Sequence, residues 1–348
     1  MKNKKRLVRV LSIVALCIFS LLAILFVIAA IRQADARKNP PSYAFTGTRV
    51  PVGDGEIYVE IGGKEGALPV VFVPGLGDGA YSFCTYAATI ADTYRTITYD
   101  PAGMGRSDPS SSVNTPDQEI YDLHALLDAM NIDGPYVFVG HSRGGALVRR
   151  YAQVFPEEVL GVVLVDATNE EMGQDTVTRL AYQAQGLYYQ LLGGLNDVGV
   201  PRLISDLGAD LLEREINHAL REFRGEDYVD ALNEQCFSSS MIATSARQFS
   251  TVHAILDEVR QGMKALPMPA YVLYDVPTDD PDSPPEETEE MLRRCIAAVA
   301  EQFPLSNSAL VYGQGHYLHV SVPDEVTRGI DWVVEQHNRE LGENGGAT

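Results

Sequence analysis

Seven short runs, most of them continuously apolar, recur along the chain at Glu56–Ile61, Val70–Val73, Thr96–Tyr99, Tyr136–Val139, Val162–Val165, Ala270–Tyr274 and Ala309–Tyr312. Runs of this length and texture suit strands buried on both faces of a parallel sheet. Helical patterns fall between them, at Tyr81–Ala91, Pro116–Met130, Gly144–Phe155, Glu286–Phe303 and Pro323–Asn338. Alternation of strand and helix predicts an α/β fold, a mostly parallel central sheet with flanking helices and right-handed crossovers. The 348 residues exceed one small domain, and allow two units or one large α/β domain with an insertion. With 45% hydrophobic and 21% charged residues, the chain is neither disordered nor fibrous. Four cysteines are too few to staple a chain of this length.

One gap breaks the rhythm. Between Asp166 and Ala270 the composition is rich in Leu, Ala, Glu and Arg, with no clear strand. A structureless loop of that size does not fit inside a compact domain. Residues 169–266 are therefore expected to form a helical cap, or lid, inserted between two parts of the core, 48–168 and 267–340. The aromatic-rich stretch Tyr182, Leu187, Tyr188, Tyr189, Leu191 and Leu192 is expected to contribute to the wall of a pocket beneath it.

The segment Gly140-His141-Ser142-Arg143-Gly144-Gly145 follows one strand pattern and opens a helix. Gly-x-Ser-x-Gly in that setting is a nucleophile elbow, a tight turn that lifts a serine hydroxyl above the sheet. Ser142 is the expected nucleophile, and it needs a base to take its proton. His316 and His319 both follow the last strand, late in the chain, where a Ser…acid…His order places the base. His316 is the preferred base and His319 the alternative, while His141 reads as a space-filling neighbour of the serine. An oxyanion hole needs two N–H donors. The amides of Arg143, next to the nucleophile, and Leu76, in Pro74-Gly75-Leu76-Gly77-Asp78-Gly79, are the candidates. The competing interpretation of that loop is a glycine-rich segment that only turns the chain.

From about residue 48 to 340 the chain resembles the α/β-hydrolase superfamily. The resemblance rests on Val73-Pro74-Gly75-Leu76-Gly77, on Tyr99-Asp100-Pro101-Ala102-Gly103-Met104-Gly105-Arg106-Ser107-Asp108, on the elbow, on Val163-Leu164-Val165-Asp166-Ala167-Thr168 and on Gly315-His316. It departs in two places: Pro74-Gly75 stands where His-Gly is commoner, and no Gly-x-x-Asp follows Ala270–Tyr274. The resemblance implies a Ser-His-Asp triad whose acid lies after the sixth strand, at Asp166, or after the seventh, at Asp279 or Asp280. Relatives that open epoxides or remove halides carry Asp at the place of Ser142, so their chemistry is not expected. No zinc-ligand spacing, Walker loop or dinucleotide fingerprint occurs, and no cofactor is expected.

The N-terminus adds a location. Lys2, Lys4, Lys5, Arg6 and Arg9 precede an uncharged run of 22 residues, Val10–Ile31. As a helix that run rises about 33 Å, enough to cross a bilayer. Residues 1–38 are expected to form a cytoplasmic basic stretch and a membrane anchor, with a linker over 39–47 and a flexible tail over 341–348. The basic flank stays cytoplasmic, so the remainder faces outward. Ala34-Asp35-Ala36 leaves open a cleaved signal and a secreted product. Beyond the basic stretch, 47 acids face 22 bases, a net of −25, which argues against nucleic acid as a partner. The expected partners are a small acyl substrate and, through the N-terminal helix, a membrane. A serine hydrolase acting on an ester, lactone, thioester or amide is the expected function. The alternative is a catalytically silent hydrolase-fold binding protein.

Overall fold

The computed structural model describes residues 2–38, 43–110, 115–172, 176–207, 216–278 and 285–345. Pro40 and Pro41 of the expected linker, and both Asp279 and Asp280, lie outside the described residues. Eight strands form one sheet: β1 (Thr48–Val52), β2 (Gly55–Gly62), β3 (Pro69–Val73), β4 (Arg95–Tyr99), β5 (Tyr136–His141), β6 (Val159–Val165), β7 (Ala270–Val276) and β8 (Ser306–Tyr312). Their spatial order is β1-β2-β4-β3-β5-β6-β7-β8. Only the β1/β2 and β2/β4 pairs are antiparallel, so the sheet is mostly parallel as expected.

Alternation along the central strands decides which residues meet which layer, because successive side chains point to opposite faces. Val71, Val73, Phe138, Val162, Leu164, Val272 and Tyr274 enter one hydrophobic cluster. Their neighbours Val70, Phe72, Val137, Val139, Val163, Val165, Tyr271 and Leu273 enter another on the far side. The second face is covered by α2 (Cys84–Ile90), through Tyr86 and Ile90, and by the last helix, through Val326, Ile330 and Val333. The first is covered by α3 (Pro116–Met130) and α4 (Arg143–Val154), with Leu123, Leu127, Ala146 and Tyr151 at the contact. Helix α3 occupies its predicted span. Thr115 accepts a hydrogen bond from the Gln118 amide at 3.1 Å, Pro116 opens the first turn, and Asn131 turns left-handed at φ 52° to end it.

The gap after β6 holds helices only, among the described residues: α5 (Thr176–Asn196), α6 (Val200–Asp206), α7 (Asn217–Arg224), α8 (Glu226–Cys236) and α9 (Ser239–Gln261). Val252, Ile255, Leu256 and Val259, from the second half of α9, belong to the main core cluster. The insertion is thus rooted in the main core through α9, while α7 and α8 pack on Tyr81 and Cys84 through Leu220, Tyr228 and Leu232. The chain returns through β7, α10 (Pro285–Gln302), β8, the short α11 (Leu318–Ser321) and α12 (Pro323–Gly345). Helix α12 continues past Asn338 into the segment expected to be a tail. The sequence Arg339-Glu340-Leu341 favours helix, and Arg339 pairs with Glu335 one turn back at 2.5 Å. Strand β1 was not expected from the sequence. It lies at the sheet edge, carries Pro51 and is largely exposed, so no apolar run marks it.

The first element, α1 (Lys2–Lys38), is one helix long and apolar enough to cross a membrane, by length and composition. Its apolar side chains stay outside the core; Leu16 is 65% and Phe19 70% exposed. Among the described residues, its C-terminal end meets the rest of the chain. Gln33 is buried and accepts a hydrogen bond at 2.7 Å from Arg202 of α6.

Candidate active site

Ser142 sits at the junction of β5 and α4 with φ 52° and ψ −126°, a region that L-residues rarely enter. Such a conformation costs on the order of 1–3 kcal/mol and persists only where its surroundings enforce it. Here they do. The Ser142 amide donates to the Val165 carbonyl at 3.1 Å, and the Ser142 carbonyl accepts from Thr168 at 2.9 Å and Gly145 at 3.0 Å. The flanking glycines allow the turn. A Cβ on Gly144 would stand 2.3 Å from the Val73 carbonyl oxygen, and one on Gly140 would stand 2.7 Å from Gly145 Cα. Both clashes involve backbone, which cannot swing away.

The sheet brings the end of β6 beside the loop after β8. Asp166 has φ 43°, and its Oδ2 lies 2.5 Å from His316 Nδ1. The pairing holds the imidazole with Nδ1 toward the carboxylate, and His316 and Ser142 line the same cavity. The structure thus brings Ser142, His316 and Asp166 into one neighbourhood. Asp279 and Asp280, the other candidate acids, fall outside the described residues. Asp275 was not singled out from the sequence. Its Oδ1 accepts from the Gln314 amide at 2.9 Å and its Oδ2 from the Gly315 amide at 3.2 Å, which fixes the loop leading into His316. Its place at the end of β7 was the available signal.

The other two histidines support this loop. His141 Nε2 donates to the His316 carbonyl at 3.0 Å, and burial holds the His141 ring far below the usual imidazole range. His319, the alternative base, is buried. Its Nε2 donates to the Ser82 carbonyl at 2.8 Å, and its ring stacks on Phe83 at 4.2 Å. Burial lowers its pKa to about 3. The folded chain therefore keeps His319 neutral where the unfolded chain, with a pKa of about 6.5, takes up a proton. Stability is insensitive to this group above pH 6.5 and is lost as the pH falls toward 3, at up to about 1.4 kcal/mol per pH unit. His319→Gln, which preserves a donor for Ser82, is expected to flatten the fall in melting temperature between pH 6 and pH 4. Equal slopes for the two proteins would show that the imidazole is protonated in the fold.

The loop after β3 lies against the elbow. A Cβ on Gly75 would sit 3.2 Å from Ser142 Cβ, so the loop backbone passes directly beside the nucleophile candidate. Gln248 of α9 accepts from the Gly77 amide at 2.8 Å, and the Gly75 carbonyl from the Asp78 amide at 3.3 Å. The neighbouring amides are engaged in this way, and Leu76 lines the cavity with Ser142. Arg143 opens α4, where the first amides have no intrahelical acceptor. Its guanidinium is drawn off to Glu119, at 2.8 and 2.7 Å, and Arg143 lines the cavity that holds Ser142. Asp78 joins the two loops, since Tyr81 donates to its Oδ1 at 2.6 Å and Tyr317 to its Oδ2 at 3.1 Å. Sequence reasoning missed this brace, although Asp78 stands within the glycine loop.

Two adjoining cavities open here. One, of about 200 Å³, is lined by Ser142, His316, Thr168, Tyr182 and Phe249. The other, of about 240 Å³, shares Leu76, Asp78, Phe249 and Tyr317 with it and adds Tyr189, Met241 and Ile242. The expectation that Leu187 to Leu192 line the pocket together needs correction. Tyr182 and Tyr189, two turns apart, point inward, while Leu187, Tyr188 and Leu191 are 56%, 49% and 62% exposed. The helical period sends the two sets to different faces of α5.

A family model described as the alpha/beta hydrolase fold matches residues 69–318. A non-heme chloroperoxidase of Streptomyces lividans is 36% identical over 121 residues, 34% of this chain and 44% of that protein. Matches of this kind cover about two fifths of the length of the curated relatives. Among solved structures, a thermophilic esterase from Thermogutta terrifontis superposes with a TM-score of 0.57 at 19% identity, covering 84% of this chain and 99% of that one. The enol-lactonase from Burkholderia xenovorans LB400 gives 0.56 at 18%, covering 83% and 100%. At these identities the structural likeness concerns the fold.

Proposed function

The chain belongs to the α/β-hydrolase family, and from that premise we propose that it is a membrane-anchored serine hydrolase that cleaves a carboxylic ester, lactone, thioester or amide. One observation carries the proposal: Ser142, on a strained elbow, shares a cavity with His316, whose Nδ1 is 2.5 Å from Asp166. A relative named as a 2-hydroxy-6-oxo-6-(2'-aminophenyl)hexa-2,4-dienoic acid hydrolase, 34% identical over 111 residues, supports the reaction class.

His316 Nε2 takes the Ser142 proton as Oγ attacks the acyl carbon. Asp166 accepts the Nδ1–H and stabilises the imidazolium that forms. The amides of Leu76 and Arg143 receive the oxyanion, the latter at the positive end of α4. The imidazolium returns its proton to the leaving group. Water then attacks the acyl-serine, with His316 again as base, and the acid product and free Ser142 result. Residues α5 to α8 serve as a cap that keeps bulk water from the acyl-enzyme. The uncharged span of α1 anchors the chain, its basic end inside the cell and the catalytic core outside.

The cavities set the acyl preference. Phe249 lines both, stacked on Tyr189 with ring centroids 5.1 Å apart, so truncation opens one cavity further into the other. Phe249→Ala is expected to shift the optimum of a p-nitrophenyl ester series toward longer acyl chains, and Leu187→Ala, on the outer face, to leave the optimum in place. An optimum unmoved by Phe249→Ala would mean that the acyl group binds elsewhere and would count against this site.

A further inference from the structure

We propose that the outer surface of α6 and the C-terminal half of α5 rests on the lipid of the outer leaflet, so that the cap docks on the membrane beside its own anchor. This rests on the reading of α1 as a membrane-spanning helix. Three observations converge on it.

The first is depth. Ala29 lies within the uncharged span, two residues before its end, and is fully buried against the cap. A Cβ on Gly199 would stand 2.2 Å from the Ala29 carbonyl oxygen, so the start of α6 touches α1 there. Two residues of helix rise about 3 Å, which sets this contact at the rim of the hydrocarbon rather than above it. Further out, Gln33 meets Arg202 at 2.7 Å and Arg37 meets Asp197 at 2.9 Å. The cap is thereby held against the last turns of the anchor, with no spacer between them.

The second is the surface presented at that level. Leu187, Tyr188, Leu191 and Leu195 of α5 recur at the spacing of one helix face, and Ile204 and Leu207 follow on and after α6. All six are more than 40% exposed, and Leu207 reaches 72%. Exposed apolar rows of this kind mark interaction surfaces. The third is charge. From Leu180 to Asn196 helix α5 holds no Asp, Glu, Lys, Arg or His, in a chain whose outward part carries a net of −25. That region is the part of an acidic surface able to approach headgroups without repulsion or a charge to desolvate. Its continuity with α1 selects lipid as the occupant. The opposite face of α5 carries Tyr182 and Tyr189 into the cavities, so one helix diameter, about 10 Å, separates the bilayer from the site.

The test uses the full chain in phosphatidylcholine vesicles, with the single Trp332 replaced by Phe and one reporter added at a time: Leu191→Trp, Leu195→Trp or, as the control on the far edge strand, Tyr312→Trp. Lipid bearing a doxyl quencher near the headgroup is included or omitted. The expected result is flotation of all three with the vesicles, at least twofold quenching of the two α5 reporters, and none of Tyr312→Trp. Flotation with both α5 reporters unquenched would overturn the docking face alone. Unquenched reporters together with a cross-linked dimer would assign the row to a second copy, against the proposal. Failure of the unsubstituted chain to float would overturn the anchor itself, and the docking face with it.

Discussion

Ser142→Ala is expected to lower turnover of an activated ester by on the order of 10⁶-fold, the scale on which a triad loses its nucleophile. Stability should hardly change. The substitution removes one oxygen at the mouth of a cavity, and it keeps the backbone bonds that Ser142 makes to Val165, Thr168 and Gly145. The strain at φ 52° is present with either residue. Calorimetry beside a p-nitrophenyl ester assay separates the two readouts, and a folded variant that retains full turnover would remove Ser142 from the chemistry.

Asp166→Asn is the second large effect, about 10⁴-fold in kcat with little change in melting temperature. Asn is nearly the shape of Asp and tolerates the left-handed backbone that this position holds at φ 43°. The amide would present N–H where His316 now finds an acceptor at 2.5 Å. The imidazole would turn to the tautomer protonated at Nε2, and no lone pair would face Ser142. Asp275→Asn gives a different signature. One of the two backbone amides it holds, at Gln314 or Gly315, loses its acceptor, so the loop before His316 loosens and the melting temperature falls. Asp279→Asn is expected to leave turnover intact. A loss at Asp279 with full activity at Asp166→Asn would move the acid to the loop after β7.

How much of this was legible follows from where the information sits. Strands β3, β5, β6 and β7 could be read directly, because burial on both faces makes their side chains apolar except at the ends, where His141 and Asp275 stand. Strand β1 could not, since an edge strand with one proline and mixed exposure writes no such pattern. The elbow was legible because Gly140 and Gly144 answer to clashes within a few residues of Ser142 and with one neighbouring strand. The acid was not. Asp166 and Asp279 each follow a strand pattern, and the 2.5 Å contact of Asp166 with His316 joins loops 150 residues apart, which local spacing does not record. Asp275 and Asp78 act on backbone amides and tyrosine hydroxyls from other loops, a role that no local spacing encodes. On α5 the apolar residues occupy two faces. Composition alone merged them into one wall, and burial separates Tyr189 from Leu187 and Leu191.

The central claim is that Ser142 is activated, and a fluorophosphonate tests it most directly, because it reacts with a serine whose proton is taken by a neighbouring base and whose oxyanion is stabilised. The full chain in membranes would be labelled, digested and mapped by mass spectrometry, with Ser142→Ala and Asp166→Asn treated alongside. The account predicts a single adduct on Ser142, absent in the first variant and formed far more slowly in the second. An unlabelled Ser142 in folded protein, or an adduct on a different serine, would contradict it.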